Sequence, residues 1–206
     1  MRIGPHTGAL ALFLLMALAL VHCVGWIGAT LAQGLGPQPP QPAPRVYYGT
    51  AGLPGPVQEM REAILSAVQS GRIEELRVAY ELNELKPDLA DAPVSDPVAF
   101  WKEISADGRG LEVLAALGQI LDAGYVVLPT GRDLENNRIY VWPYFAELPL
   151  VHLTPPQEVE LLRLMGAAAA GDAKSKGRYS SWRITIGADG VWHSFHKMPQ
   201  GLVPRN

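Results

Sequence analysis

Residues 179–197, Tyr-Ser-Ser-Trp-Arg-Ile-Thr-Ile-Gly-Ala-Asp-Gly-Val-Trp-His-Ser-Phe-His-Lys, decide the fold class because they read as a β-hairpin. Trp182, Ile184 and Ile186 alternate with Arg183 and Thr185, the period of two that puts one set of side chains on one sheet face. Gly187-Ala188-Asp189-Gly190 supplies the turn, where aspartate before glycine is turn chemistry and Gly190 takes a positive φ without a Cβ clash. Val191, Trp192 and Phe195 return along the partner strand.

Two more strands are expected upstream. Tyr125-Val126-Val127-Leu128, closed by Pro129, and Arg138-Ile139-Tyr140-Val141-Trp142 flank a polar turn and should pair antiparallel. With the hairpin they make a four-strand sheet. Arg45-Val46-Tyr47-Tyr48 reads either as a further short strand or as a segment lying on the domain.

Helices dominate the first half. Val57, Met60, Ile64, Leu65 and Val68 form one stripe over 57–70, with Pro56 at the first turn and Gly71 at the exit. A second helix is expected over 72–85, burying Ile73, Leu76, Ala79 and Tyr80. Asp96-Pro97 caps a third, and Leu111, Leu114, Gly118 and Leu121 mark a fourth. Thr154-Pro155-Pro156-Gln157 announces the last, with a reciprocal Thr/Gln cap and an inward stripe of Val159, Leu162 and Met165. The expected fold class is α+β, helices packed on one face of a small antiparallel sheet that ends in a C-terminal hairpin. Helices first and a tryptophan-rich hairpin last also suit a cone-like sheet of the nuclear-transport-factor-2 kind.

The N-terminus sets the expected location. Arg2 precedes an uncharged apolar run over 9–21, and Thr30-Leu31-Ala32 offers a small-residue exit. This is the pattern of a secretory signal peptide over 1–32, cleaved after Ala32 or Ala29, and implies a periplasmic or secreted protein. An uncleaved anchor is the alternative, because residues 9–32 are long enough to span a bilayer. Cys23 is the sole cysteine, and His22 before it fits lipoprotein processing badly. Cleavage would remove Cys23 and with it disulfides, thiol catalysis and thiolate metal sites. Residues 33–56 are rich in Pro and Gly and read as a disordered linker, 57–198 as a single domain and 199–206 as a flexible tail. A formal charge of −3 gives no electrostatic case for nucleic acid or an anionic membrane surface.

Catalytic signatures are sparse. Neither a P-loop nor a dinucleotide fingerprint occurs, and no Gly-x-Ser-x-Gly elbow, so no cofactor is expected. His193 and His196 lie three apart in a strand and point to opposite faces unless a bulge intervenes, and no metal site is expected. His152 reads as structural. Among Glu103, Asp107, Asp133, Glu135 and Glu147, the last is the best acid–base candidate, beside the aromatic corner of residues 142–147. The aromatics Tyr140, Trp142, Tyr144, Phe145, Tyr179, Trp182, Trp192 and Phe195 are expected mainly in the core, with Trp142 and Tyr144 as the exceptions that could bind a sugar or peptide. The candidate binding residues are therefore Trp142, Tyr144 and Glu147.

Val-Trp-Pro-Tyr-Phe-Ala-Glu at 141–147, Leu-Thr-Pro-Pro-Gln-Glu-Val-Glu-Leu at 153–161 and Arg-Ile-Thr-Ile-Gly-Ala-Asp-Gly-Val-Trp at 183–192 resemble a group of uncharacterised secreted proteins of alphaproteobacteria. The likeness covers the second half of the chain, and the group carries no assigned activity. It implies an envelope location and supplies no catalytic residue. His196-Lys197-Met198 stands here where the group would close with Gly-Asp. The function expected is a non-catalytic module that binds an envelope protein or a cell-wall component. Alternatives are a small hydrolase or isomerase using Glu147 with a histidine in an aromatic pocket, and a structural spacer or subunit.

Overall fold

The computed structural model describes residues 43–130 and 137–198. The expected signal peptide, the linker up to residue 42 and the tail over 199–206 lie outside the described residues. From residue 43 onward the linker reading is corrected. Val46–Tyr47 forms strand β1 and pairs with β2, because the proline run ends at Pro44 and Val46, Tyr47 and Tyr48 are β-formers.

Helix α1 (Gly55–Ser70) follows, then a 3₁₀ turn (Ile73–Glu75), α2 (Leu76–Glu81), α3 (Pro97–Ile104) and α4 (Leu111–Asp122). Strands β2 (Tyr125–Pro129) and β3 (Arg138–Trp142), a 3₁₀ turn (Tyr144–Ala146), α5 (Pro155–Ser175), β4 (Trp182–Gly187) and β5 (Trp192–Lys197) complete the order. The sheet is an antiparallel meander, β1-β2-β3-β4-β5. It has five strands rather than four, with β1 as the added edge.

Local signals explain the helix ends. Asp96 Oδ1 accepts the Val98 amide at 3.1 Å, and Gln157 Oε1 accepts the Thr154 amide at 2.8 Å. Asp107 accepts from the amides of Arg109, Leu111 and Glu112, fixing the start of α4. The second helix stops earlier than expected. The Asn83 side-chain amide donates to the carbonyls of Ala79 and Tyr80, competing with further helix. Its Oδ1 accepts the Trp192 amide at 2.7 Å, tying that helix end to β5.

Helices lie on both faces of the sheet, not one. The helices α1 to α4 pack against Tyr125, Tyr140, Trp142, Trp182, Ile184, Ile186, Trp192 and Phe195. The other face carries Val126, Val141, Tyr144, Phe145 and Leu150, covered by Leu161, Ala170 and Ala173 of α5. Strands β2 and β3 are apolar at successive positions, so both their faces need cover. The inward stripe of α5 also differs from expectation, since Val159 and Leu162 are exposed and Leu161 is buried. Gly166, at φ 73° and ψ 163°, interrupts that helix, so no single 3.6-residue phase runs through it.

On the first face the side chains form two cross-strand rows. One contains Tyr47↔Tyr125 and then Trp142↔Ile184↔Phe195. The second runs Val127↔Tyr140↔Ile186↔Trp192. The β1–β3 end of these rows holds the tyrosines.

Candidate functional site: a tyrosine-lined cavity

At that end a cavity of ≈ 430 Å³ opens. Its lining comes from Tyr47 of β1, Gly52 before α1, Tyr125, Val127 and Pro129 of β2, and Arg138 and Tyr140 of β3. The alternation of the strands puts the three tyrosines on one face. Their rings pack in series, Tyr47 to Tyr125 at 5.6 Å between centroids and Tyr125 to Tyr140 at 5.9 Å. Behind them stands Trp142, 5.0 Å from Tyr125 and 6.3 Å from Tyr140. The guanidinium of Arg45 sits 5.3 Å from the Tyr47 ring centroid. A Cβ on Gly52 would lie 3.1 Å from the Tyr125 hydroxyl, so the absence of a side chain there leaves that hydroxyl room.

Tyr125 is 1% and Tyr140 4% exposed. A buried tyrosine ordinarily finds a partner for its O–H. Tyr179 does so, donating to the Trp182 carbonyl at 3.0 Å, and Tyr144 donates to Glu160 Oε2 at 3.0 Å. Neither Tyr125 nor Tyr140 makes a side-chain hydrogen bond among the described residues; both hydroxyl-bearing side chains line the cavity. Burial raises both phenols above their ordinary pKa, with the neighbouring tyrosines adding to the rise. Arg138, which has another contact of its own, opposes the rise at Tyr140. Both groups are therefore neutral O–H donors at physiological pH.

The residues singled out from sequence are distributed differently. Trp142 is buried as the second layer behind the tyrosines. Tyr144 is buried on the opposite face, and its hydroxyl shares Glu160 with Tyr48, whose O–H donates at 3.1 Å. The Gly124 amide donates to the other Glu160 oxygen at 3.0 Å, so this group fastens α5 to the β2 entry. Glu147 accepts from Arg183 Nη2 at 2.7 Å and Nε at 3.2 Å in a half-buried ion pair. The structure thus does not gather Trp142, Tyr144 and Glu147 around one opening. The Trp142–Pro143 peptide that joins the first two is cis.

His193 occupies an irregularity in β5, where Thr185 faces Ser194 and Ile186 faces Trp192. The bulge required for the two histidines to share a face is present, yet no group of three or more potential metal ligands occurs among the described residues. Asp189 belongs to the turn, accepting the Val191 amide at 3.1 Å. No helix among the described residues is long and apolar enough to cross a membrane.

A second opening, ≈ 450 Å³, lies beside β5 between Asp88, Asp91, Phe100, Trp182, His196 and Lys197. Its charged groups are exposed or half-buried and already solvated, whereas the tyrosine cavity holds polar atoms on nearly fully buried residues. Tyr47, Tyr125 and Tyr140 are not among the candidate binding residues that the sequence singles out. Their signal was legible as phenols set among aliphatic residues in strands, each needing a partner. No family model, no curated protein and no solved structure matches the chain.

Proposed function

We propose that this chain is an exported, envelope-associated binding protein, periplasmic or secreted, that holds a component of the envelope in the tyrosine-lined cavity rather than transforming it. The observation that carries this reading is the pair of buried tyrosines, Tyr125 and Tyr140, whose hydroxyls line an opening and have no protein partner among the described residues. These hydroxyls open to solvent rather than into the packed core, so each is available to donate a hydrogen bond to a ligand. The lining offers donors and apolar wall, and the carboxylate favoured for acid–base work, Glu147, is engaged by Arg183. Export is supported by the charged start, apolar run and small-residue exit of residues 1–32 and by the resemblance to secreted proteins.

Two measurements test the proposal. Fractionation of cells producing the full chain should place the processed protein outside the cytoplasm. Purified protein should retain cell-wall sacculi or an envelope protein, and the double variant Tyr125→Phe/Tyr140→Phe should lose that retention while keeping its fold. Cytoplasmic residence, or turnover of an envelope substrate without retention, would overturn the reading.

A further inference from the structure

Independently of the tyrosine cavity, we propose that a groove floored by Trp182 docks an extended peptide through a lysine-type ammonium, which takes the place that Lys197 holds in this structure. Two openings meet at this floor. One, of ≈ 390 Å³, runs between α4 and α5 past Glu112, Gln119, Met165 and Ser181. The other, of ≈ 450 Å³, lies beside β5 with Asp88, Asp91, Phe100 and His196. Trp182 and Lys197 line both.

Lys197 shows what the seat recognises. Its ammonium stands 4.9 Å from the Trp182 ring centroid and 3.7 Å from Glu112 Oε1, so an aromatic face and a carboxylate already hold a cation there. The hold is light. The Lys197 side chain is 55% exposed and its ion pair is long, and exposed pairs of this kind contribute little. A ligand's ammonium can take the seat while Lys197 turns into water. The lining favours a cation, because Asp88, Asp91, Glu112 and Asp172 face Lys197 and His196 across the two openings. Asp172 also pairs with Lys176 at 2.7 Å.

A second feature asks for a carbonyl. The indole of Trp182 is 8% exposed, and its Nε1–H makes no hydrogen bond among the described residues. Unlike Trp101 Nε1, which is sealed in the core, it opens to the groove, and an indole N–H only donates. A peptide supplies both groups, a side-chain ammonium for the ring face and a backbone carbonyl for the N–H. The edge of β5 already suits extended chain: the Asp88 amide donates to the His193 carbonyl at 2.8 Å, and the Asp88 carbonyl accepts the Phe195 amide at 2.9 Å. Leu89, Phe100 and Ile104 on one side of Trp182, and Ala115, Leu164 and Met165 on the other, offer an apolar wall to the peptide's neighbouring side chains.

Calorimetric titration of the purified chain with a short blocked alanine peptide carrying one central lysine, and with the same peptide acetylated on that lysine, tests the proposal. The lysine peptide should bind about tenfold more tightly than its acetylated form. Lys197→Ala empties the seat at an exposed position, and should tighten the lysine peptide by about threefold or more while leaving the acetylated one unchanged. Equal affinity for the two peptides overturns the proposal. So does a Lys197→Ala chain that binds the lysine peptide no more tightly than wild type, and so does an absence of binding by both proteins.

Discussion

Replacing tyrosines by phenylalanine one at a time should divide them into two groups that burial alone would not separate. Tyr125, Tyr140, Tyr144 and Tyr179 are all buried. Tyr179 donates to the Trp182 carbonyl at 3.0 Å inside the core, so Tyr179→Phe leaves an acceptor unmet and should cost about 1–2 kcal/mol. Tyr144 donates to the Glu160 carboxylate at 3.0 Å. A bond to a charged group is worth about 1.5–3 kcal/mol, and the half-exposed carboxylate with its remaining partners brings Tyr144→Phe down to about 1–2 kcal/mol. Tyr125→Phe and Tyr140→Phe remove no hydrogen bond among the described residues and keep the ring packing, so each should stay within about 0.5 kcal/mol of wild type. Urea unfolding measures all four. With a slope of about 2 kcal/mol/M, a loss of 1 kcal/mol moves the midpoint by about 0.5 M. A midpoint for Tyr125→Phe or Tyr140→Phe as low as that of Tyr179→Phe would show that those hydroxyls are already satisfied within the protein, and would refute the reasoning behind the site.

Other substitutions test the frame that holds the cavity. Asn83→Ala removes the acceptor of the Trp192 amide and the donor to the end of α2, and should cost about 2 kcal/mol or more in the same assay. Gly110→Ala should cost at least as much, because φ is +84° and the new Cβ would lie 2.5 Å from Ile73 Cγ1. Glu147→Gln should weaken the half-buried pair with Arg183, costing about 1–2 kcal/mol, and leave ligand retention intact. Stability should fall as pH rises from about 10 toward 12. The Tyr179 phenol is pushed up to about 12 by burial, so the unfolded chain releases its proton first and gains stability by up to about 1.4 kcal/mol per pH unit. Thermal unfolding across that range checks the sign, and Tyr179→Phe should flatten the slope.

Much of the architecture followed from local patterns. Asp96-Pro97, Thr154-Pro155 and the Asp189-Gly190 turn are short-range signals whose physics is complete within a few residues, and each occurs where the chain requires it. The inward positions Ile73, Leu76, Ala79 and Tyr80 were also legible, and all four are buried. What local pattern could not give was the second covered face. Val126 and Val141 signalled burial on both sides, but which helix would cover them depended on the long return of α5 and on its break at Gly166. The site was obscured for a related reason. Trp142, Tyr144 and Glu147 are neighbours in sequence, yet a strand end and a 3₁₀ turn send them to a core layer, the opposite face and an ion pair. Tyr47, Tyr125 and Tyr140 are far apart in sequence and meet only through the register Tyr47↔Tyr125 and Val127↔Tyr140.

The most direct measurement of the cavity's role is the NMR spectrum of protein labelled in its tyrosine and histidine rings, recorded while soluble cell-wall fragments are added. The account expects the signals of Tyr47, Tyr125 and Tyr140 to shift together while Tyr179 and His196 stay in place. Shifts at His196 with the three tyrosines unmoved would place the ligand in the groove beside β5 and contradict it.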